Sequence, residues 1–433
     1  MKIYKILILG LLLTVVSCSI DEQVDPNRPS LNSVLSDASI TELNLLANGI
    51  EGFMRNGYGT YVTATGSIAR ELYIFDADPR NTEDLLGKDG MQLDNNTFYL
   101  TTPYNNFYRD IKTCNILLES VDNTDIPSQA QKDGYRGFAN TIKAFKLFQV
   151  LTMLHDNGIR IEVADPTNLG PFVSKADAYR AIRTLLDQAQ DQLNGSEFAF
   201  QLSSGFAGFD TPATFAQFNR AIAAKVALYA GDPQGALSAL NNSFFDLMGD
   251  FKTGPKMVFG TNAGDLLNPV FKAPNQSGDQ LVVHNDVIND AEAGDDRLNK
   301  FAVRANQTSQ DGLTGTHETR LYASATSPID IIRNEELILI YAEGLIQTDM
   351  LDDAVDALNI IRNGHNLPDY SGAMTKDALI DEMLYNRRYS FWGEAQRMFD
   401  LRRYNRLNDQ YLSIDRAGDL IFTQFPIPLT EGQ

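Results

Sequence analysis

Cysteine, histidine and tryptophan are scarce in this sequence. Its 433 residues include two Cys, four His and one Trp. A disulfide framework or a zinc-rich scaffold needs more cysteine and histidine, so both are excluded. Basic residues are also outnumbered, with 36 Lys and Arg against 56 Asp and Glu, which gives a net charge of −20. Because phosphate backbones are bound by basic surfaces, a nucleic-acid partner is excluded as well.

Long hydrophobic runs are missing too. The apolar stretch at residues 6–16 follows Lys2 and Lys5 and is too short to span a bilayer, so residues 1–17 are predicted to be a signal peptide. The stretch ends in Val-Val-Ser-Cys, which resembles the bacterial lipobox, whose cysteine is acylated. Lipidation of Cys18 is therefore predicted. The alternative is an ordinary cleaved signal followed by a chance cysteine.

Residues 18–36 are predicted to be the lipidated N-terminus and a tether, because they contain prolines and no sustained periodicity. Asp21 and Glu22 lie shortly after the cysteine, in a pattern that resembles the surface-export signal of Bacteroidetes-type lipoproteins. The predicted localisation is the outer membrane, with a lipid anchor and the protein facing the cell surface.

Apolar residues at helical spacing recur along most of the chain and predict a mostly α fold. A weak repeat, Ala236–Leu240 and Ala354–Leu358, places two small alanines in each copy after a preceding helix. This pattern is typical of tetratricopeptide-like helical hairpins, with unrelated helix pairs as the alternative. Residues 37–433 are predicted to form a single helical domain with irregular insertions near 76–100 and 242–332. Long loops and a few short strands there would carry the ligand site.

Sequence patterns of enzymes and metal sites were sought without success. His317-Glu318 is not followed by the second histidine of a zinc protease, and no Gly-x-Ser-x-Gly turn occurs. We therefore predict no catalytic residue, no metal site and no cofactor. Calcium is a minor alternative, because four carboxylates lie close together in the first insertion: Asp76, Asp78, Glu83 and Asp84.

From about Asp330 onward the sequence resembles the SusD/RagB family of nutrient-binding outer-membrane lipoproteins. The strongest match is the segment 391–403, Phe-Trp-Gly-Glu-Ala-Gln-Arg-Met-Phe-Asp-Leu-Arg-Arg, and the terminal Pro426-Ile427-Pro428 followed by Glu431 is also similar. The resemblance implies a SusD-like helical domain and no enzymatic activity. It further implies a cell-surface protein that captures an oligosaccharide and delivers it to a SusC-type TonB-dependent transporter.

Three alternatives to glycan binding remain open. A RagB-like peptide-uptake lipoprotein is compatible with the same resemblance, because the loop at residues 79–97 contains no aromatic residue that could stack on a sugar. A tetratricopeptide assembly scaffold and a surface hydrolase are the less favoured alternatives.

Candidate ligand contacts were sought outside the helical patterns, where rings and polar side chains are not required for the core. Arg80 and Asn81 are the preferred polar candidates, since they follow a turn-forming Asp-Pro. The complete set of ligand-binding candidates is Tyr73, Arg80, Asn81, Phe98, Tyr99, Asn285, Arg297 and Tyr322.

Charged residues in the C-terminal region are predicted to be structural. Glu394, Arg397, Asp400 and Arg403 follow one another at three-residue spacing, which on a helix predicts a ladder of ion pairs. The full predicted network is Arg333, Glu336, Glu343, Glu394, Arg397, Asp400 and Arg403. Trp392 and Cys114 are predicted to be buried in the core.

The lipobox generates a first testable prediction. Replacing Cys18 by alanine should release the protein from membranes after a high-salt wash, because the two or three acyl chains of a lipoprotein are its stable anchor. Fractionation followed by immunoblotting measures this. Persistent membrane association of the variant would contradict acylation at this residue.

Overall fold

A computed structural model describes residues 31–431, so Cys18, the signal peptide and most of the tether lie outside the described residues. The chain is mostly helical, as the apolar spacing predicts. Within residues 31–431 no helix is both long and apolar enough to cross a membrane. The helices are α1 (Leu31–Asp37), α2 (Ile40–Phe53), α3 (Tyr58–Ile68), α4 (Phe98–Asn123), α5 (Gln129–Leu154), α6 (Lys175–Leu193), α7 (Pro212–Tyr229), α8 (Pro233–Leu240), α9 (Asn285–Asn289), α10 (Asn334–Gln347), α11 (Leu351–Gly364), α12 (Lys376–Ser390) and α13 (Arg397–Arg403).

Successive helices pack as hairpins. From α4 to α8, each helix contacts its neighbour in the chain. Helix α8 then contacts α10, and α10 contacts both α11 and α12. Close approach needs small residues: a Cβ built on Gly137 of α5 would lie 2.6 Å from the Leu193 side chain of α6. The alanines of the repeat, Ala236 and Ala354, are fully buried on α8 and α11. The predicted tetratricopeptide-like scaffold is confirmed.

Helix ends follow local capping rules. Ser128 begins α5 with a capping box in which Gln131 is the reciprocal partner, and Ser174 caps α6 by accepting from the Asp177 N–H. One helix was not anticipated: α1 begins at Leu31, inside the segment 18–36 predicted to be a tether.

A four-stranded antiparallel sheet interrupts the helical scaffold. Its strand order is β1 (Leu72–Asp76), β5 (Asp279–Val283), β7 (Leu313–Thr319) and β6 (Phe301–Gln310). In the register, Leu72 faces Val283 and Asp76 faces Asp279. Two further pairs are short: β2 (Ile159–Arg160) with β3 (Phe172–Val173), and β4 (Lys256–Met257) with β8 (Ile329–Asp330). The insertion at 242–332 therefore contains short strands, as predicted, together with a longer hairpin.

The core joins the sheet to the C-terminal helices through Trp392. Its ring is fully buried, lies edge-on to Phe301 with 4.8 Å between ring centroids, and donates from Nε1 to the Glu71 carbonyl (3.0 Å). Cys114 on α4 is also fully buried. Both residues occupy the core, as predicted.

The C-terminal charges do not form the predicted ladder along one helix. Helix α13 begins at Arg397, and Ala395 before it has a φ of +56°, so Glu394 lies outside the helix. Arg397 donates to the Leu384 carbonyl (3.4 Å) and forms an ion pair with neither Glu394 nor Asp400. Of the predicted pairs, Asp400–Arg403 is present at 3.0 Å. The Glu394–Arg397 pair is absent because the chain turns sharply at Gly393 and Ala395. On α13, Asp400 bonds Arg387 and Arg403 instead of Arg397.

The same charges pair across different elements instead. Arg333 pairs with Glu394 and with Glu335, Lys225 pairs with Glu336 (2.7 Å), and Arg403 pairs with Glu343. The Asp400 carboxylate also accepts a hydrogen bond from Arg387 Nε (2.7 Å), and both of these side chains are about 98–99% buried. Although burial raises the pKa of Asp400, the charges of Arg387 and Arg403 lower it below its ordinary value overall.

Loss of the Asp400 carboxylate should therefore destabilise the protein. Asp400→Ala leaves two buried arginines without their shared partner, and breaking a buried pair costs about 3–5 kcal/mol. Chemical denaturation measures the difference. Asp381→Ala is the matched control, because its pair with Arg406 is 63% exposed on the aspartate side and should matter little. Equal stability of the two variants would contradict a structural role for the network.

Candidate functional site

Three segments distant in sequence form one polar surface, which we call the loop face: residues 76–98, 303–317 and 408–422. Gln310 donates to the Asp76 carbonyl (2.9 Å), and Asp311 pairs with both Lys88 and Arg416. The backbone of the first segment also bonds the third, since the Leu420 N–H donates to the Leu86 carbonyl (2.9 Å). These bonds fix the loops relative to one another before any ligand arrives.

Beneath the loop face, Asp415 is the meeting point of three buried partners. The Tyr73 hydroxyl donates to its Oδ1 (2.6 Å), His284 Nε2 lies 2.8 Å from the same oxygen, and Arg70 Nε lies 2.8 Å from Oδ2. Burial raises the pKa of Asp415, but the hydrogen bond from His284 and the charges of His284 and Arg70 lower it below its usual range. Asp415 thus anchors the third segment to β1 and β5 as a buried anion.

The junction between α3 and β1 contains a second buried carboxyl. The Glu71 carbonyl accepts from Trp392 Nε1 and from the His284 N–H (2.9 Å), while both of its carboxyl oxygens lack a hydrogen-bond partner among the described residues. Burial raises the pKa of Glu71 to about 8, against the lowering effect of Arg397 and Arg388.

Arg80 is the prominent exposed cation of the loop face. Its guanidinium lies 5.0 Å from the centre of the Phe98 ring, and it donates to Asp78 (2.8 Å to Oδ1) and to the Thr97 hydroxyl (2.7 Å). The Arg80 side chain is still 47% exposed. A guanidinium held in place in this way offers its free N–H groups to a ligand at little entropic cost.

Several sequence-predicted candidates are not accessible. Tyr73 and Tyr99 are 4% and 0% exposed, so the prediction that they present exposed rings is wrong. The Tyr99 hydroxyl donates to Asp84 (2.9 Å) and accepts from the Asp94 N–H. These rings are buried because the loops fold back over them, which their local sequence does not indicate.

Asn81 and Arg297 were also predicted to be available, and both are buried. Asn81 is 3% exposed and donates to both carboxylate oxygens of Asp76 (3.0 Å). Arg297 is 2% exposed and pairs with Asp295 (2.7 Å). Each closes a local turn, so the expectation that they face a ligand is wrong.

The remaining candidates keep some exposure. Asn285 is exposed, although its amide donates to the Thr314 carbonyl (3.1 Å), while Phe98 and Tyr322 are half-buried against the core. The structure therefore brings Arg80 and Phe98 together and leaves Asn285 at the start of α9.

The four carboxylates considered for calcium have protein partners instead. Asp76 accepts from Asn81, Asp78 from Arg80, Glu83 from Lys88 and Asp84 from Tyr99. Across residues 31–431 no group of three or more His, Cys, Asp or Glu side chains is arranged to hold a metal ion.

Tyr411 is a residue that sequence reasoning missed. It is 52% exposed, and no other aromatic residue in the described chain is as open to solvent. It lies on the segment that also carries Asp415, under the guanidinium of Arg406 at 5.2 Å from the ring centre. The sequence feature that indicates its exposure is its position after α13, beside an Asn-Asp turn.

Comparisons with known proteins agree with this architecture. The model of the SusD family matches residues 282–430. A SusD superfamily protein from Bacteroides vulgatus shares the fold with a TM-score of 0.71 and 17% identity, over 91% of this chain and 96% of that chain. The chain has a SusD-like fold.

Other relatives of the SusD-like chain are equally divergent in sequence. A SusD superfamily protein from Bacteroides thetaiotaomicron has a TM-score of 0.69 and 18% identity, over 91% and 97% of the two chains. Surface glycan-binding protein A from the same organism, solved in complex with laminarihexaose, has a TM-score of 0.69 and 14% identity, over 90% and 97%. No curated protein sequence matches the SusD-like chain significantly.

The buried Glu71 predicts how stability depends on pH. Because its pKa is about 8 in the folded state and near 4.5 when unfolded, the folded protein retains a proton between these values. The resulting stabilisation is present below pH 4.5 and is lost as pH rises through 8, at no more than about 1.4 kcal/mol per pH unit. Glu71→Gln should remove this slope, as measured by denaturation at pH 5 to 8. If the free energy of unfolding changed with pH in the same way in both proteins, the assignment of this slope to Glu71 would be contradicted.

Proposed function

We propose that this protein is a cell-surface lipoprotein that binds an oligosaccharide at the loop face and passes it to a SusC-type TonB-dependent transporter in the outer membrane. The observation that carries the proposal is the rigid loop face, where Arg80 lies exposed on Phe98. It is supported by the shared fold with surface glycan-binding protein A, which was solved with laminarihexaose.

The chemistry of the loop face suits a polar ligand. Arg80 supplies donors, and Tyr411 supplies a ring face for the C–H side of a sugar. Because Asp78 and Thr97 already orient Arg80, binding does not require its side chain to be ordered first. In this proposal the protein binds its ligand without chemical change and is not an enzyme.

The anchor and the partner are parts of the same proposal. Acylation at Cys18 would keep the domain at the membrane surface, and the tether would let it open and close over a transporter. The lipobox and the family resemblance support this arrangement.

Peptide binding is the second candidate function. The observation in its favour is the lack of aromatic residues in the loop 79–97, which leaves few rings for stacking on sugars. Arg80 would then bind a carboxylate, such as a peptide C-terminus, as a planar donor pair.

Substitution of the loop face tests the proposal. Arg80→Ala combined with Tyr411→Ala should reduce retention of the protein on a glycan array. The affinity for laminarihexaose, or for a glycan identified on the array, should fall about tenfold or more, because a hydrogen-bond donor and an aromatic ring are lost. Both side chains are exposed, so the melting temperature should stay unchanged.

Arg180→Ala is the matched control, since this arginine is exposed on α6 and paired with Asp177 in the same way. Retention of a peptide library with no glycan capture would favour the second candidate. Unchanged glycan capture by the double variant would place the ligand away from the loop face.

A further inference from the structure

A second concave surface lies away from the loop face, at the C-terminal end of α2. Its larger lobe has a volume of about 660 Å³ and is bounded by α2, by residues 201–206 and by residues 256–265. A smaller lobe of about 280 Å³ lies between the turn at 55–60 and residues 259–269. Arg55 lines both lobes, so they are two parts of one elongated surface, which we call the α2 groove.

Arg55 forms the boundary between the lobes. Its Nη1 donates to the Val258 carbonyl (2.7 Å) and to Asp265 (2.6 Å), and its Nε donates to the Gly52 carbonyl (3.0 Å). These bonds tie α2 to the opposite wall and hold the groove at a fixed width. The groove is therefore preformed rather than a product of loose packing.

The charges that line the groove are balanced. Two acidic and two basic side chains line the larger lobe. Arg55 pairs with Asp265, Lys256 pairs with Asp330 (2.6 Å), and Glu51 accepts from the Ser203 N–H (3.0 Å). Although the chain carries a net charge of −20, every charged side chain that lines the larger lobe already has an ion-pair or hydrogen-bond partner.

Four amide side chains of the groove are unpaired. Asn48, Gln201 and Asn262 come from the three different walls of the larger lobe, and Asn56 lines the smaller one. Within the part of the chain that the structure describes, none of these four side chains makes a hydrogen bond. An amide both donates and accepts, which is what a ligand rich in hydroxyl groups requires.

Aliphatic side chains complete the walls. Leu266, Leu267 and Pro269 line the smaller lobe, with the two leucines 40% and 53% exposed. Met257 and Val258 line the larger lobe. These surfaces can cover the C–H faces of sugar rings.

We infer that the α2 groove is a second binding site, for a neutral oligosaccharide chain. The inference rests on the proposed function, because it assumes the same class of nutrient. Its elongated form, balanced charge and four free amides favour an uncharged chain of several units over a single sugar or an ionic ligand. Helix α3 has 11 residues, so its ends are about 16 Å apart. It begins beside the groove and ends near Arg70 under the loop face, so both sites can be filled at once.

Titration of the full-length protein in detergent tests the inference. The probes are laminarihexaose, cellohexaose and maltohexaose, and the variants are Gln201→Ala with Asn262→Ala, and Ala263→Trp, which fills the larger lobe. We expect at least one probe to bind the parent protein at the α2 groove, and both variants to lower the affinity of that binding about tenfold, equivalent to about 1.4 kcal/mol. Gln188→Ala is the matched control, an exposed and unbonded amide on α6 that should change nothing.

Three outcomes would overturn the inference. The first is that the groove variants bind all three probes as the parent protein does. The second is that none of the probes binds the parent protein, and the third is that the variants lose only binding of a peptide without charged side chains, Gly-Ser repeated three times. The proposed function is judged separately. If the Arg80 and Tyr411 variant loses glycan capture while the groove variants keep it, the proposed function stands and the second site is contradicted.

Discussion

Buried charges that must be paired are the constraint on which this structure depends. An ion taken out of water is costly unless a partner of opposite charge meets it in the interior. Asp415 meets this requirement with Arg70, Tyr73 and His284, which lie more than 100 residues away along the chain. Because the charge has partners only when these segments meet, the pairing specifies how the loop face is assembled.

The C-terminal network works by the same principle within the helical scaffold. Arg333 lies at the start of α10 and Glu343 within it, Asp400 lies on α13, and each pairs with a residue of another element. Trp392 then connects this scaffold to the sheet through the Glu71 carbonyl. Rigid helices, a fixed sheet and tied loops therefore form one continuous support, and the exposed groups on it are few and well oriented.

The two candidate binding surfaces differ in their chemistry. The loop face exposes a cation on a ring, whereas the α2 groove exposes amides between aliphatic walls and has its charges paired. They lie at opposite ends of α3, so a single rigid helix sets their separation. A ligand chain with several units could use both kinds of surface, which provides a physical reason for a binding protein to have two.

The sequence by itself determined most of the helices, the family resemblance and the core positions of Cys114 and Trp392, because these depend on local spacing and capping. Arg80 was also found in this way, since a turn-forming Asp-Pro placed it outside any apolar pattern. Only the tertiary structure decided which loop residues are accessible. Tyr73 and Tyr99 are buried by segments far away in sequence, and Tyr411 is left exposed by the turn after α13. The ladder around Arg397 also depended on tertiary structure: the chain is not helical between Glu394 and Arg397, and Asp400 pairs with Arg387 of α12 rather than with Arg397.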